Sequence, residues 1–177
     1  MAIPFVKEVL GLSAQPWELS PVVLTAEFLR SRLVSNEPED LMELVKQAAE
    51  KASEGADILF LEGGGSLREG YTVGLPTVQV AHELKSQVLV VIKYREEVRM
   101  LDDILASQTR LGTAMCGILI NRVPAEATQF IHEVAVPFIE KRGIPVFGIL
   151  PEVRGLAALT LEELVELLEP ELLTKIT

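Results

Sequence analysis

An alternation constrains this chain more than any other feature. Four short, almost wholly apolar runs, Ile58–Leu61, Gln87–Ile92, Met115–Ile120 and Pro145–Ile149, are separated by segments that fit helices of ten or more residues. Runs that stay apolar at consecutive positions, instead of alternating with polar residues, suit strands buried on both faces, as in parallel sheets. Helical segments between them then act as the right-handed crossovers of βαβ units. The pattern predicts an α/β fold, a doubly wound, mostly parallel sheet flanked by helices, in a single domain over 1–177. An apolar content of 49% with only 5% aromatic residues makes its core one of Leu, Val, Ile and Ala.

The helical segments carry their own signals. Asn36, with Glu39 three residues on, is a capping pattern for a helix placing Leu41, Leu44, Val45, Ala48, Ala49 and Ala52 on one face and ending near Gly55. Further helices are predicted over Leu75–Lys85, over Glu96–Leu111 with Val98, Leu101, Ile104 and Leu105 inward, and over Ala125–Arg142. The last would turn Phe130, Ile131, Val134 and Phe138 to one side and bend at Pro137. Shorter helices are expected near Pro4–Leu10 and Ala26–Leu33, and after the Thr160/Glu163 capping box, with Leu161, Leu164, Val165 and Leu168 inward. His82 and His132 have apolar neighbours at helical spacing and no metal-ligand partner, which predicts partly buried structural histidines, whereas Asp102 and Asp103 suit a solvated helix face.

Charge and composition exclude several function classes. With 26 acidic against 16 basic side chains the net charge is −10, which repels nucleic-acid backbones and anionic membrane surfaces, so neither partner is expected. No apolar run reaches the roughly 20 residues of a spanning helix, and MAIPFVKEVL lacks a signal-peptide pattern, so a cytoplasmic protein is expected. The single cysteine, Cys116, excludes an intrachain disulfide and a thiolate cluster, and its apolar surroundings predict a small buried hydrophobe.

In open α/β sheets ligands bind beyond the carboxyl ends of the strands. That edge collects Glu62 with Gly63, Gly64 and Gly65, then Lys93 and Tyr94, Asn121 and Arg122, and Pro151 and Glu152. Glu62 reads equally as a Mg²⁺-coordinating acid and as a turn acid. The glycine run suits backbone amides approaching an anion, or a plain turn; the dinucleotide spacing fails because Arg68 stands where a glycine is required. Asn121 suits a purine edge or a turn. Arg68, Lys93 and Arg122 suit a small anion such as an acyl phosphate, or ordinary surface charge. A Walker phosphate loop needs Gly-Lys-Ser or Gly-Lys-Thr, and no Gly-Lys pair occurs anywhere in the sequence.

Five segments, LSPVVLT (19–25), DILFLEGG (57–64), GILINRV (117–123), GILPEVRGL (148–156) and Thr160–Leu164, together resemble the dethiobiotin synthetase-like P-loop family. That family includes cobyrinic acid a,c-diamide synthases and the N-terminal domain of many phosphate acetyltransferases, the resemblance to the last being closest. The resemblance covers nearly the whole chain and implies a P-loop NTPase-like sheet. It matches Glu62 to a Mg²⁺-associated glutamate, Asn121 to a position near the adenine, and Pro151 and Glu152 to a loop closing over the base. With Gly63 and Gly64 these form a vestigial nucleotide site.

Relatives in that family place a strand and a Gly-Lys-Thr or Gly-Lys-Ser loop well ahead of LSPVVLT, whereas only Met1 to Glu18 precede it here. The expected domain is thus truncated at its N-terminus, lacking an interior strand and the P-loop. A missing interior strand leaves a gap of about 4.8 Å with unpaired ladder groups, so a homo-oligomer or a partner domain or chain is expected. The functional expectation is a non-catalytic domain with a regulatory or assembly role, with no catalytic residue and no cofactor. The alternative is an ATP- and Mg²⁺-dependent ligase or synthetase whose P-loop lies on a missing segment or partner chain.

Overall fold

A computed structural model describes residues 11, 15–34, 40–153 and 155. The helices expected near Pro4–Leu10 and after Thr160, and the cap at Asn36, lie outside the described residues. The chain divides into two compact units, residues 1–88 with 106–116 and residues 89–105 with 117–177.

The first unit is built from helices. They are α1 (Pro16–Leu19), α2 (Ala26–Val34), α3 (Leu41–Ser53) and α4 (Thr77–Glu83), with a 3₁₀ turn at Tyr71–Val73 ahead of α4. Thr25 starts α2 by accepting from the Phe28 amide at 3.0 Å. Asp40 starts α3: its carboxylate accepts from the amides of Met42 and Glu43 at 3.1 and 3.2 Å, two donors that helix geometry leaves unpaired. Two ion pairs then tie α3 to its neighbours, Lys46 to Glu83 of α4 at 2.5 Å and Lys51 to Glu18 of α1. Each partner holds the other charged: hydrogen bonding to Glu83 raises the Lys46 pKa, and hydrogen bonding to Lys46 lowers that of Glu83. Leu41 and Ala81 are buried. His82, one helical step of about 100° past Ala81, faces solvent, and His132 is exposed too, so neither is the half-buried structural histidine that spacing predicted.

A three-stranded sheet of order β1 (Val88–Lys93), β2 (Met115–Val123), β3 (Val146–Pro151) lies in the second unit except for Val88, Met115 and Cys116, which fall in the first. β2 runs parallel to β3 with Ile118 opposite Val146, Leu119 opposite Gly148 and Ile120 opposite Ile149. Helix α5 (Glu97–Leu111) follows β1, its residues from Ala106 on belonging to the first unit. Between β2 and β3 come α6 (Thr128–Phe130), a π-helical turn at Ile131–Ala135, and α7 (Val136–Glu140). Pro137 lacks the N–H for the α ladder, and the wider π turn just ahead of it accommodates that gap. On this helical segment Ile131, Ala135 and Ile139, at i, i+4 and i+8, are buried, whereas Val134, expected inward, is exposed. On α5 the inward positions are Met100 and Ile104, whereas Val98 is exposed. These side chains, with Ile92, Ile118, Ile120 and Val123, make the core of the unit. Among the described residues no helix is long and apolar enough to cross a membrane.

Three of the four expected strands form. Ile58–Leu61 does not: it runs without helix, turn or bend, pairs with no strand among the described residues, and Ile58 and Phe60 are 70% and 87% exposed. An apolar run becomes a strand only when neighbours supply its ladder, and among the described residues none does so here.

Candidate functional site

The residues expected at the carboxyl edge fall into two sets, one in each unit. In the second unit the ladder continues past the strands. Tyr94 N donates to the Asn121 carbonyl at 2.8 Å and Glu152 N to the Val123 carbonyl at 2.9 Å, which brings Lys93, Tyr94, Asn121, Arg122, Pro151 and Glu152 to one sheet edge. There Asn121 Oδ1 accepts from the Arg122 amide at 2.8 Å. Arg122 adopts a left-handed backbone, φ 60°, which residues other than glycine rarely do. The asparagine side chain therefore braces the irregular stretch near the end of β2, where the register against β3 shifts between Ile120 and Val123. Burial pushes the Tyr94 phenol pKa up, and the carboxylates of Glu97, Glu126 and Glu96 push it further the same way. Negative charge thus gathers beside Tyr94, although Lys93 and Arg122 are exposed at the same edge.

The first unit holds Glu62 and the glycine run. Glu62 is exposed, and among the described residues no group of three or more His, Cys, Asp or Glu side chains is arranged to hold a metal ion. None of Gly63, Gly64 and Gly65 has a positive φ, so the backbone there does not need glycine for its conformation. Space is what matters. Gly65 N donates to Glu69 Oε2 at 3.2 Å, and a Cβ on Gly64 would lie 2.2 Å from that same oxygen. The carboxylate of Glu69 is seated against the glycine run, at an amide an anionic ligand would otherwise use.

Gly70 fixes the far end of this loop. Its φ of 86° starts the 3₁₀ turn, its carbonyl accepts from Val73 N at 3.2 Å and Leu75 N at 2.9 Å, and a Cβ there would meet the Leu75 carbonyl oxygen at 2.1 Å. The side chain that sequence reasoning missed is Glu69. The available signal was an acid four residues beyond Gly65 and directly before a turn glycine. Arg68, considered above with Lys93 and Arg122, is exposed in the first unit, whereas the other two belong to the second.

No solved structure matches the chain. A family model described as an AAA domain does match, over residues 3–160. That stretch contains both sets of edge residues and every described strand and helix. The chain therefore belongs to this AAA domain family, which is P-loop NTPase-like and dethiobiotin synthetase-like.

Proposed function

We propose that this polypeptide is a non-catalytic member of its family, related to the N-terminal domain of phosphate acetyltransferases and acting in regulation or assembly. The observation that carries this reading is the carboxylate of Glu69 on the Gly65 amide. A phosphate group would have to displace that carboxylate and would meet its negative charge at close range. The sequence supplies no Gly-Lys-Ser or Gly-Lys-Thr to compensate. Without that lysine and its amide cradle, the terms that dominate phosphate binding are missing, and Glu62 alone does not replace them.

The remaining edge residues support the same reading. The Asn121 side-chain oxygen is engaged by the Arg122 amide within β2, and burial together with the charges of Glu97, Glu126 and Glu96 raises the Tyr94 pKa. Differential scanning fluorimetry with millimolar ATP and Mg²⁺ tests the proposal: no change in Tm is expected. A rise of several degrees would mean that the folded chain binds nucleotide, and would favour the ATP-dependent ligase or synthetase reading instead.

A further inference from the structure

After a bend at Asp57, residues Ile58 to Glu62 run without helix, turn or bend and belong to no described strand. Both faces of the stretch are apolar and open to solvent: Ile58 and Phe60 alternate with Leu59 and Leu61, all four exposed. Among the described residues no hydrogen bond reaches a backbone N–H or C=O between Asp57 and Glu62. An apolar segment whose backbone donors and acceptors have no partner among the described residues is a template for another strand.

The ends of the segment select the occupant. Asp57 and Glu62 bracket the four apolar residues. If two copies of this chain paired antiparallel about the Leu59–Phe60 centre, Asp57 of one would face Glu62 of the other at both ends of the ladder, and like charges directly opposite are destabilising. The net charge of −10 on each chain adds to that repulsion. A strand with lysine or arginine at both ends turns both repulsions into attractions. Because both faces of the segment are apolar, the incoming strand must itself be apolar at consecutive positions.

We propose that Asp57–Glu62 is a β-augmentation site for an extended apolar segment of another polypeptide, flanked on both sides by basic residues. This deepens the assembly reading above by naming the partner chemistry, and it rests on that reading. The two fail separately: a Tm rise with ATP and Mg²⁺ ends the non-catalytic reading, whereas the following experiment addresses only the strand site.

Two fluorescently labelled synthetic peptides share the core Val-Ile-Val-Val, one bracketed by two lysines at each end and the other by two glutamates. Binding to the full chain is followed by anisotropy, and backbone amides of residues 58–62 by hydrogen exchange. The lysine peptide is expected to bind at least tenfold more tightly than the glutamate peptide at low salt, with the gap narrowing as salt rises. It is also expected to slow exchange within 58–62. The double variant Asp57→Lys, Glu62→Lys, changed only at exposed positions, should reverse the preference. Equal binding of both peptides, or no slowing of exchange, overturns the proposal. So does slowing that grows with the concentration of the chain alone, which would make a second copy the occupant.

Discussion

Ile58–Leu61 and Ile118–Ile120 are sequences of the same kind with opposite fates. Each is a short apolar run followed directly by a polar residue, Glu62 in one case and Asn121 in the other. In the second unit, Ile118 and Ile120 are 0% exposed because β2 is the middle strand, with β1 on one side and β3 on the other. In the first unit, Ile58 and Phe60 stand in solvent and the backbone between them is unpaired among the described residues. The difference lies outside the runs themselves. An apolar run supplies side chains to bury, but its neighbours supply the ladder and the covering helices that make burial possible.

The largest expected contrast is in stability. Ile120→Ala empties a site with no solvent access and should cost about 2–5 kcal/mol, whereas Phe60→Ala should stay within about 0.5 kcal/mol of the parent. Paired urea titrations read both. A Phe60→Ala cost comparable to that of Ile120→Ala would break the comparison, because it would require the side chain to be buried.

The glycines sharpen the same contrast. A Cβ on Gly117 would meet the Pro145 carbonyl oxygen at 2.7 Å and the Phe147 ring at 2.6 Å, because β2 and the segment entering β3 approach closely there. Gly117→Ala should therefore lower stability by about 1–3 kcal/mol through overpacking. Gly63→Ala meets only the Thr77 side chain, no nearer than 3.7 Å, and should change Tm by no more than about a degree or two. Thermal melts of the two variants decide whether position 63 tolerates a side chain where position 117 does not.

The smallest effect concerns the Lys46–Glu83 pair, which belongs wholly to the first unit. Glu83 titrates below its ordinary value of 4.5, so its contribution is present above that pH and is lost as pH falls through its lowered folded-state value. Lys46 titrates above 10.5, so its contribution is full below that pH and is lost as pH rises through the raised value. Both groups are solvent-exposed, so the effect is small and fades with salt. Glu83→Gln should flatten the acid limb of a Tm-against-pH curve at low ionic strength and leave the neutral region nearly unchanged. An acid limb identical to the parent's would remove the pair from the account.

Much of this fold was legible in the sequence, because three apolar runs and the helices between them needed only periodicity to be read. Strands Val88–Lys93, Met115–Val123 and Val146–Pro151 lie within a few residues of expectation. The inward faces of two helices were less legible. After β2 burial falls on Ile131, Ala135 and Ile139 instead of Val134: both choices fit a helical period, and the period alone does not say which of two adjacent apolar residues, Val134 or Ala135, turns inward. The Ile58–Leu61 strand failed because strand formation depends on partners that the run itself does not encode.

The candidate site was legible in composition but not in arrangement. Counting along the apolar runs puts Asn121 and Glu152 near the strand ends; Asn121 lies within β2, two residues before its end, and Glu152 directly follows β3. The position of Glu69 beside Gly65 depends on how the loop folds back before Gly70, which no local spacing rule reports.

Amide hydrogen exchange on the intact chain, resolved to single residues, tests the contrast most directly. Amides of Ile58–Leu61 should exchange within about tenfold of an unstructured peptide, while those of Ile118–Ile120 should open only with the unfolding of their sheet, thousands of times more slowly. Equal, strong protection in both runs would show that Ile58–Leu61 has a strand partner and would contradict the account.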